Sequence, residues 1–179
     1  MSHARALLGR TRRAHRTRGA LTVLLVTVGL LFQAVPARAY TDDYAWKSDT
    51  TYANDPYGFT KRQCVSYAAW RLYRAGHRIS NSRGHWGYAY HWDEAARNLG
   101  KRVTTTPKVG AIAQWNGYER STYYTSGGTG TMTASRYGHV AVVAYVYSDR
   151  SVLVRQYNVN GNRSFSQAHV RAPRYIYVY

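Results

Sequence analysis

Acidic residues and cysteines are scarce in this 179-residue chain, which holds eight aspartate and glutamate residues and a single cysteine, Cys64. One cysteine cannot form an internal disulfide framework or a cysteine-rich zinc site. Because the acids are few and spread out and no H-E-x-x-H motif occurs, the sequence predicts no metal site and no cofactor. Prolines number only four, and no proline-rich or low-complexity tract interrupts residues 40–179. This range is therefore predicted to be one domain.

Residues 1–39 have the order of features typical of a secretory signal peptide. Arginines and no acids occupy residues 5–18, an apolar run follows over residues 20–35, and Ala37-Arg38-Ala39 supplies a cleavage site. A retained membrane anchor is the alternative, but this run is shorter than the roughly 20 residues that a hydrocarbon core requires. We expect cleavage after Ala39, which makes the protein secreted, extracellular or associated with the cell wall.

The chain after residue 39 is basic and aromatic. Residues 1–39 hold seven of the 25 lysines and arginines and no acid, so residues 40–179 carry a formal charge of +10, together with all 18 tyrosines and all 5 tryptophans. An exported basic protein meets anionic cell-envelope polymers or extracellular nucleic acid. The arginines are scattered singly, without a nucleic-acid-binding motif, which favours wall polymers and no nucleic acid. No second long apolar run follows, so we expect no membrane binding after cleavage of the signal peptide. We also expect a monomer.

Hydrophobic periodicity separates a helical first part of this domain from a strand-rich second part. Residues 40–57 are predicted to be ordered without helix or strand, and helices are predicted over residues 61–75 and 88–99. Helices before strands indicate an α+β fold, with N-terminal helices packed on an antiparallel β-sheet. The pattern further predicts strands at residues 110–115, 138–147, 151–157 and 174–178, a long loop at 116–136 and a hairpin turn at 148–150.

Cys64 lies in the first turn of the first predicted helix, directly after Lys61 and Arg62. A helix N-terminus and nearby cations both stabilise a thiolate, which is the nucleophilic form of cysteine. The alternative is that Cys64 is a small apolar residue inside the helix.

His139 differs from the other histidines after residue 39 because it opens an apolar strand, directly after Gly138. A cysteine with a distant histidine is the pair required for acyl transfer through a thioester. Such a histidine needs a group that orients its second ring nitrogen. Asn158 ends the next predicted strand and is the candidate for this role.

Five segments of the chain together resemble the CHAP domains, the cysteine, histidine-dependent amidohydrolase/peptidases. The resemblance covers about residues 52–178 in the order of the family, and it implies a papain-like α+β fold and cleavage of amide bonds in peptidoglycan. Gln156 stands where many members carry glutamate. Asp55 is not followed by a second acid at residue 57 or 59, so the calcium site of some phage members is not expected. The segments are Tyr57-Gly58 with Arg62–Leu72, Trp86–Ala89 with Trp92, Pro107–Ala113, Gly138–Val143 and Gln156–Asn158.

These observations predict a secreted peptidoglycan amidase or endopeptidase. Cys64 would attack the carbonyl carbon, His139 would accept and return the proton, and Asn158 would orient the imidazole, with Gln156 facing the same side of the strand. The backbone N–H of Cys64 and the Gln63 side chain would hold the oxyanion.

Three tryptophans, Trp86, Trp92 and Trp115, are candidates to line a substrate groove, with core packing as their alternative role.

Two other functions stay open for the whole protein. One is a non-catalytic wall-binding module with the same fold, and the other is a cysteine acyltransferase.

Overall fold

The computed structural model describes residues 40–179, and the signal peptide predicted for residues 1–39 lies outside this range. The described residues form helices in the first part and strands in the second, which confirms the predicted α+β class. None of the helices in this range is long and apolar enough to cross a membrane. The helices are α1 Cys64–Arg74, α2 Asn81–Gly84, a 3-10 helix Ala89–His91 and α3 Trp92–Asn98; the strands are β1 Arg102–Thr104, β2 Ile112–Trp115, β3 Arg120–Thr125, β4 Gly128–Thr133, β5 His139–Val146, β6 Val152–Tyr157, β7 Phe165–Arg171 and β8 Arg174–Tyr177.

Helix α1 begins at Cys64, three residues later than its periodicity predicts. Arg62 has a φ of 60°, and Gln63 is extended at the N-cap with φ −95° and ψ 159°. Cys64 is therefore the first helical residue, where a backbone N–H has no acceptor within the helix. The buried face of α1, which includes Tyr67 and Leu72, packs against β5 and β6.

The eight strands form one sheet, in which every pair is antiparallel and the order is β1-β8-β2-β5-β6-β7-β3-β4. The pairing of β5 with β6 confirms the predicted hairpin. Along β5, Val140 and Val142 pack into the core on the helix side, while Ala141 and Val143 pack into a second apolar cluster. Because successive side chains point to opposite faces, β5 is buried on both of them.

The interpretation of residues 116–136 as a long loop is wrong. Strands β3 and β4 form a hairpin there, with Thr125 opposite Gly128 across a two-residue turn. Threonine and tyrosine favour strands, but the glycines of this segment conceal the alternating pattern. Strands β1 and β7 are likewise absent from the prediction, and β7 fills the sheet between β6 and β3.

The segment before α1 is ordered and holds the start of that helix against the sheet, in agreement with the prediction for residues 40–57. Tyr44 is buried, and its hydroxyl oxygen lies 2.5 Å from Ser66 Oγ of α1. Its ring packs on Tyr157 of β6 with a centroid distance of 4.8 Å, and the Tyr157 hydroxyl donates a hydrogen bond to Asp42. These contacts tie the N-terminal segment, the helix and the sheet together.

Candidate active site

One cleft of about 860 Å³ contains both predicted catalytic side chains. Gln63 and Cys64 line it from the start of α1, and His139 lines it from the start of β5. Asn158, which follows β6, also lines this cleft. The packing of α1 on β5 and β6 brings these distant parts of the sequence together.

The Cys64 thiol lies against the backbone N–H of Val140, the residue next to His139. This N–H and those of Val65 and Cys64 itself favour the thiolate. Burial disfavours the charged form and is the stronger effect, so the pKa of the Cys64 thiol is raised. The resting sulfur is therefore a thiol that needs a base.

The sequence predicts that the two cations before Cys64 stabilise its thiolate, but the structure pairs both of them with other groups. Lys61 forms a salt bridge with Asp49 at 2.8 Å. The guanidinium group of Arg62 donates to the backbone carbonyls of Arg163 and Asp49. Both charges are thus engaged by groups other than the sulfur.

His139 lines the same cleft as Cys64 and is the candidate for that base. It is buried, and its Nε2 lies 2.9 Å from Oε1 of Gln156. An amide oxygen can only accept a hydrogen bond, so Nε2–H donates and Nδ1 carries no proton. Burial lowers the pKa of His139 to about 4, although the hydrogen bond with Gln156 acts in the opposite direction. The imidazole is therefore neutral at neutral pH and can accept a proton.

Asn158 makes no hydrogen bond with His139, in contrast to the role that the sequence predicts for it. Strand β6 ends at Tyr157, and Asn158 has a φ of 58°, so the alternation that would align it with Gln156 stops one residue earlier. Asn158 Nδ2 instead donates to Oε1 of Gln63 at 2.6 Å, and its Oδ1 accepts the backbone N–H of Arg163 at 2.7 Å. The partner of His139 is Gln156, and Asn158 fixes Gln63.

The hydrogen bond from Asn158 leaves one end of the Gln63 amide available. With Oε1 of Gln63 held, its Nε2 donor has no hydrogen-bond partner among residues 40–179. The backbone N–H of Cys64, at the first position of α1, also makes no hydrogen bond to another described residue. Both donors belong to residues that line the cleft with the thiol, and free N–H donors of this kind are what an oxyanion requires.

The three tryptophans predicted to line a substrate groove are core residues. Trp86 is 2% exposed, and Trp92 and Trp115 are fully buried. Three other aromatic side chains on the cleft are exposed, namely Tyr52 at 73%, Tyr88 at 55% and Tyr137 at 41%, and the ring centroids of Tyr88 and Tyr137 lie 4.7 Å apart. Sequence reasoning missed them because 18 tyrosines are spread along the chain without a pattern that separates buried from exposed rings.

The loop before α1 does not fit the calcium site of the phage relatives. Asp55 is buried, and its Oδ2 accepts the Ser66 hydroxyl at 2.5 Å. Its Oδ1 accepts the backbone N–H groups of Tyr57 and Phe59 at 2.8 and 3.0 Å. Both carboxylate oxygens therefore hold the loop, and within residues 40–179 no group of three histidine, cysteine or acidic side chains is arranged for a metal ion.

Comparison with known proteins places these features in a family. Residues 51–158 match the CHAP domain. The chain is 36% identical over 107 residues to the staphylococcal secretory antigen SsaA of Staphylococcus aureus strain NCTC 8325, covering 60% of this chain and 33% of that protein. It is 34% identical over 100 residues to the probable autolysin SsaALP of the same strain, covering 56% of this chain and 30% of that protein. It thus spans about a third of the length of these relatives.

A solved structure shares the fold. The crystal structure of N-acetylmuramoyl-L-alanine amidase from Staphylococcus aureus superposes with a TM-score of 0.52 and 27% identity, covering 76% of this chain and 37% of that chain. Its likeness supports the papain-like α+β assignment. Because the family match covers more than half of the sequence and includes Cys64, His139, Gln156 and Asn158, the chain belongs to the CHAP domain family.

Proposed function

We propose that this protein hydrolyses amide bonds of peptidoglycan by a thiol mechanism. The observation that carries this proposal is the neutral, buried imidazole of His139, with Nδ1 unprotonated, in the same cleft as the Cys64 thiol. The relatives named as a probable autolysin and as an N-acetylmuramoyl-L-alanine amidase support peptidoglycan as the substrate.

The first half of the reaction forms a thioester. Nδ1 of His139 accepts the thiol proton while the sulfur of Cys64 attacks the amide carbonyl carbon. The N–H of Cys64 and Nε2–H of Gln63 donate to the oxygen that becomes negatively charged. When this intermediate collapses, the imidazolium gives its proton to the leaving nitrogen and the C–N bond breaks.

The second half releases the acyl group to water. Nδ1 of His139 accepts a proton from water, whose oxygen attacks the thioester carbon. The same two donors hold the oxyanion, and the departing sulfur of Cys64 takes the proton back from the imidazolium. The exposed rings of Tyr88 and Tyr137 give the cleft an apolar rim on which a sugar or a peptide side chain can pack.

Mass spectrometry of fragments released from purified peptidoglycan tests the proposal. We expect products that differ from the wall polymer by one added water at an amide bond, and loss of their release after alkylation of Cys64. Binding to the wall without any release would indicate a non-catalytic wall-binding module. Adducts with an added amine, in place of hydrolysis, would indicate an acyltransferase.

We further propose that the protein is exported and that its mature form begins at Tyr40. The basic segment, apolar run and Ala37-Arg38-Ala39 site of residues 1–39 support this cleavage. N-terminal sequencing of protein recovered from the culture medium should start at Tyr40. Secreted protein that starts at Met1 would contradict the assignment.

Activity is expected to persist well below the ordinary imidazole pKa of 6.5 and to fall only as the pH approaches about 4. Below its pKa the ring of His139 is protonated and cannot accept the thiol proton, and burial has moved that pKa downward.

Gln156→Glu places a carboxylate beside Nε2–H, which favours the imidazolium, so the acidic limb of kcat/KM should move to higher pH with activity kept or modestly raised.

Gln167→Glu is the matched control for this pH profile, because Gln167 is exposed on β7 and the substitution changes the charge equally. It should leave the acidic limb in place. If the limb of the unmodified protein lies near pH 6.5 and Gln156→Glu does not move it, His139 is not the base.

Gln156→Ala should lower the rate of hydrolysis by about 10- to 100-fold, because the imidazole loses the acceptor that fixes its tautomer. Asn158→Ala should also lower the rate, but through Gln63. The Asn158→Ala and Gln63→Ala effects should therefore be strongly non-additive, while those of Asn158→Ala and Gln156→Ala should add. A double-mutant cycle on the initial rate measures this, and an additive Asn158–Gln63 cycle would remove the positioning role of Asn158.

A further inference from the structure

The surface has a second groove of about 1040 Å³, and none of the residues that line it also lines the catalytic cleft. Four cationic side chains line it, and no acidic residue does. We call it the basic groove and define it by these cations and by three of the five tryptophan and tyrosine residues that line it. Its members are Arg74, Arg78, Arg83 and Lys101, with Trp46, Tyr57 and Tyr73.

The cations of the basic groove are exposed and unpaired within residues 40–179. None of the four forms a salt bridge or a side-chain hydrogen bond to another described residue, whereas five cations elsewhere in this range pair with Asp43, Asp49, Asp93, Glu119 and Asp149. A set of like charges on one surface, without counter-charges, repels itself unless an anion occupies the site.

Aromatic rings hold two of the guanidinium groups in place. The Arg78 guanidinium lies 5.1 Å from the ring centroid of Tyr73, and that of Arg74 lies 6.0 Å from the ring of Trp70. Tyr73 also packs on Tyr57 with a centroid distance of 5.5 Å. A guanidinium stacked on a ring keeps its N–H edges free, and those edges match the geometry of phosphate oxygens.

We propose that the basic groove binds a linear anionic polymer of the cell envelope in which sugar or polyol repeats are joined by phosphodiesters. Phosphate matches the guanidinium edges, and a repeated charge along one chain matches several cations in one groove. Nucleic acid is disfavoured because the ring of Tyr73 is engaged by Arg78 and Tyr57 and is not a free platform for a base. The inference rests on the proposed location outside the cell and not on the chemistry of Cys64.

Equilibrium binding of a synthetic glycerol-phosphate oligomer to the protein recovered from the culture medium, at fixed low salt, tests the inference. The double variant Arg74→Gln, Arg78→Gln should bind about 10- to 100-fold more weakly, because two charge-assisted contacts are lost. Its affinity should also fall less steeply as salt is raised. The matched control is Arg120→Gln, Arg150→Gln, which removes the same charge from two exposed arginines outside the groove and should change the affinity by less than about threefold.

Equal weakening by the two double variants would overturn the inference, because it would mean that the overall charge attracts the polymer and the groove does not. Tighter binding of single-stranded DNA of equal charge, lost in the groove variant, would overturn the choice of polymer. The oligomer contains no amide bond, so the two proposals fail separately. If the protein hydrolyses peptidoglycan but does not bind the oligomer, only the inference about the basic groove is contradicted. If it binds the oligomer but does not hydrolyse peptidoglycan, only the proposed function is contradicted.

Discussion

Replacing Cys64 with alanine is expected to reduce the rate of peptidoglycan hydrolysis by at least about 10⁴-fold, while the free energy of unfolding stays nearly unchanged. The loss is large because the covalent route ends when the attacking sulfur is removed. The fold is spared because Cys64 is the first residue of α1, where it lines the cleft and alanine is a favourable helical residue.

Cys64→Ser provides the nearly isosteric companion to this variant. Its hydroxyl is far harder to deprotonate than a thiol. The neutral imidazole of His139 is too weak a base for the hydroxyl proton, so this variant should also be inactive. Release of fragments should be followed by mass spectrometry, with urea unfolding of each variant to show that the fold is retained. Since Cys64 is the only cysteine in the sequence, alkylation of the unmodified protein modifies one known thiol. Near-normal release by either variant would show that Cys64 is not the nucleophile.

Gly138→Ala is expected to destabilise the protein by about 3–5 kcal/mol and to abolish hydrolysis. Gly138 has a φ of 73°, and a Cβ there would lie 2.5 Å from the carbonyl oxygen of Trp115 and 2.8 Å from the backbone nitrogen of Tyr90. Both are backbone atoms, so no side-chain rotation can relieve the contact. The neighbouring His139 would have to move with the strand, which separates it from the cleft.

Gly161→Ala is the control that isolates backbone strain. Gly161 has a φ of 76°, and apart from its chain neighbours no described residue has a heavy atom within 4 Å of the position that a Cβ would take. The substitution should cost only about 1–2 kcal/mol, the penalty of the left-handed conformation alone. The free energies of unfolding of both variants can be compared by urea titration. Equal costs would mean that the strand relaxes around Gly138 and that the close approach to Trp115 is not rigid.

The sequence alone determined the class of the fold and pointed to the two side chains that we propose as the reacting groups. Helical spacing of apolar residues continues from Cys64 into the buried face of α1, and the β-branched run after His139 forms the central strand β5. Both signals are local and strong because these elements bury apolar surface, which imposes a period on the sequence. The hairpin at residues 116–136 was not predictable in this way because its strands are half exposed and rich in glycine and threonine.

Only the tertiary structure decided which hydrogen bonds connect the residues of the site. Alternation along a strand predicts Gln156 and Asn158 on one side, but the left-handed backbone at Asn158 ends that rule and sends its amide to Gln63. Likewise, whether an aromatic ring lines the cleft or fills the core depends on what packs over it, so Tyr88 is exposed while Trp86 is buried. The tertiary structure also decided the protonation states of the two side chains. Burial raises the pKa of the Cys64 thiol and lowers the pKa of the His139 imidazole, so both groups are neutral at neutral pH. Desolvation depends on every neighbour that excludes water, and those neighbours come from distant parts of the chain.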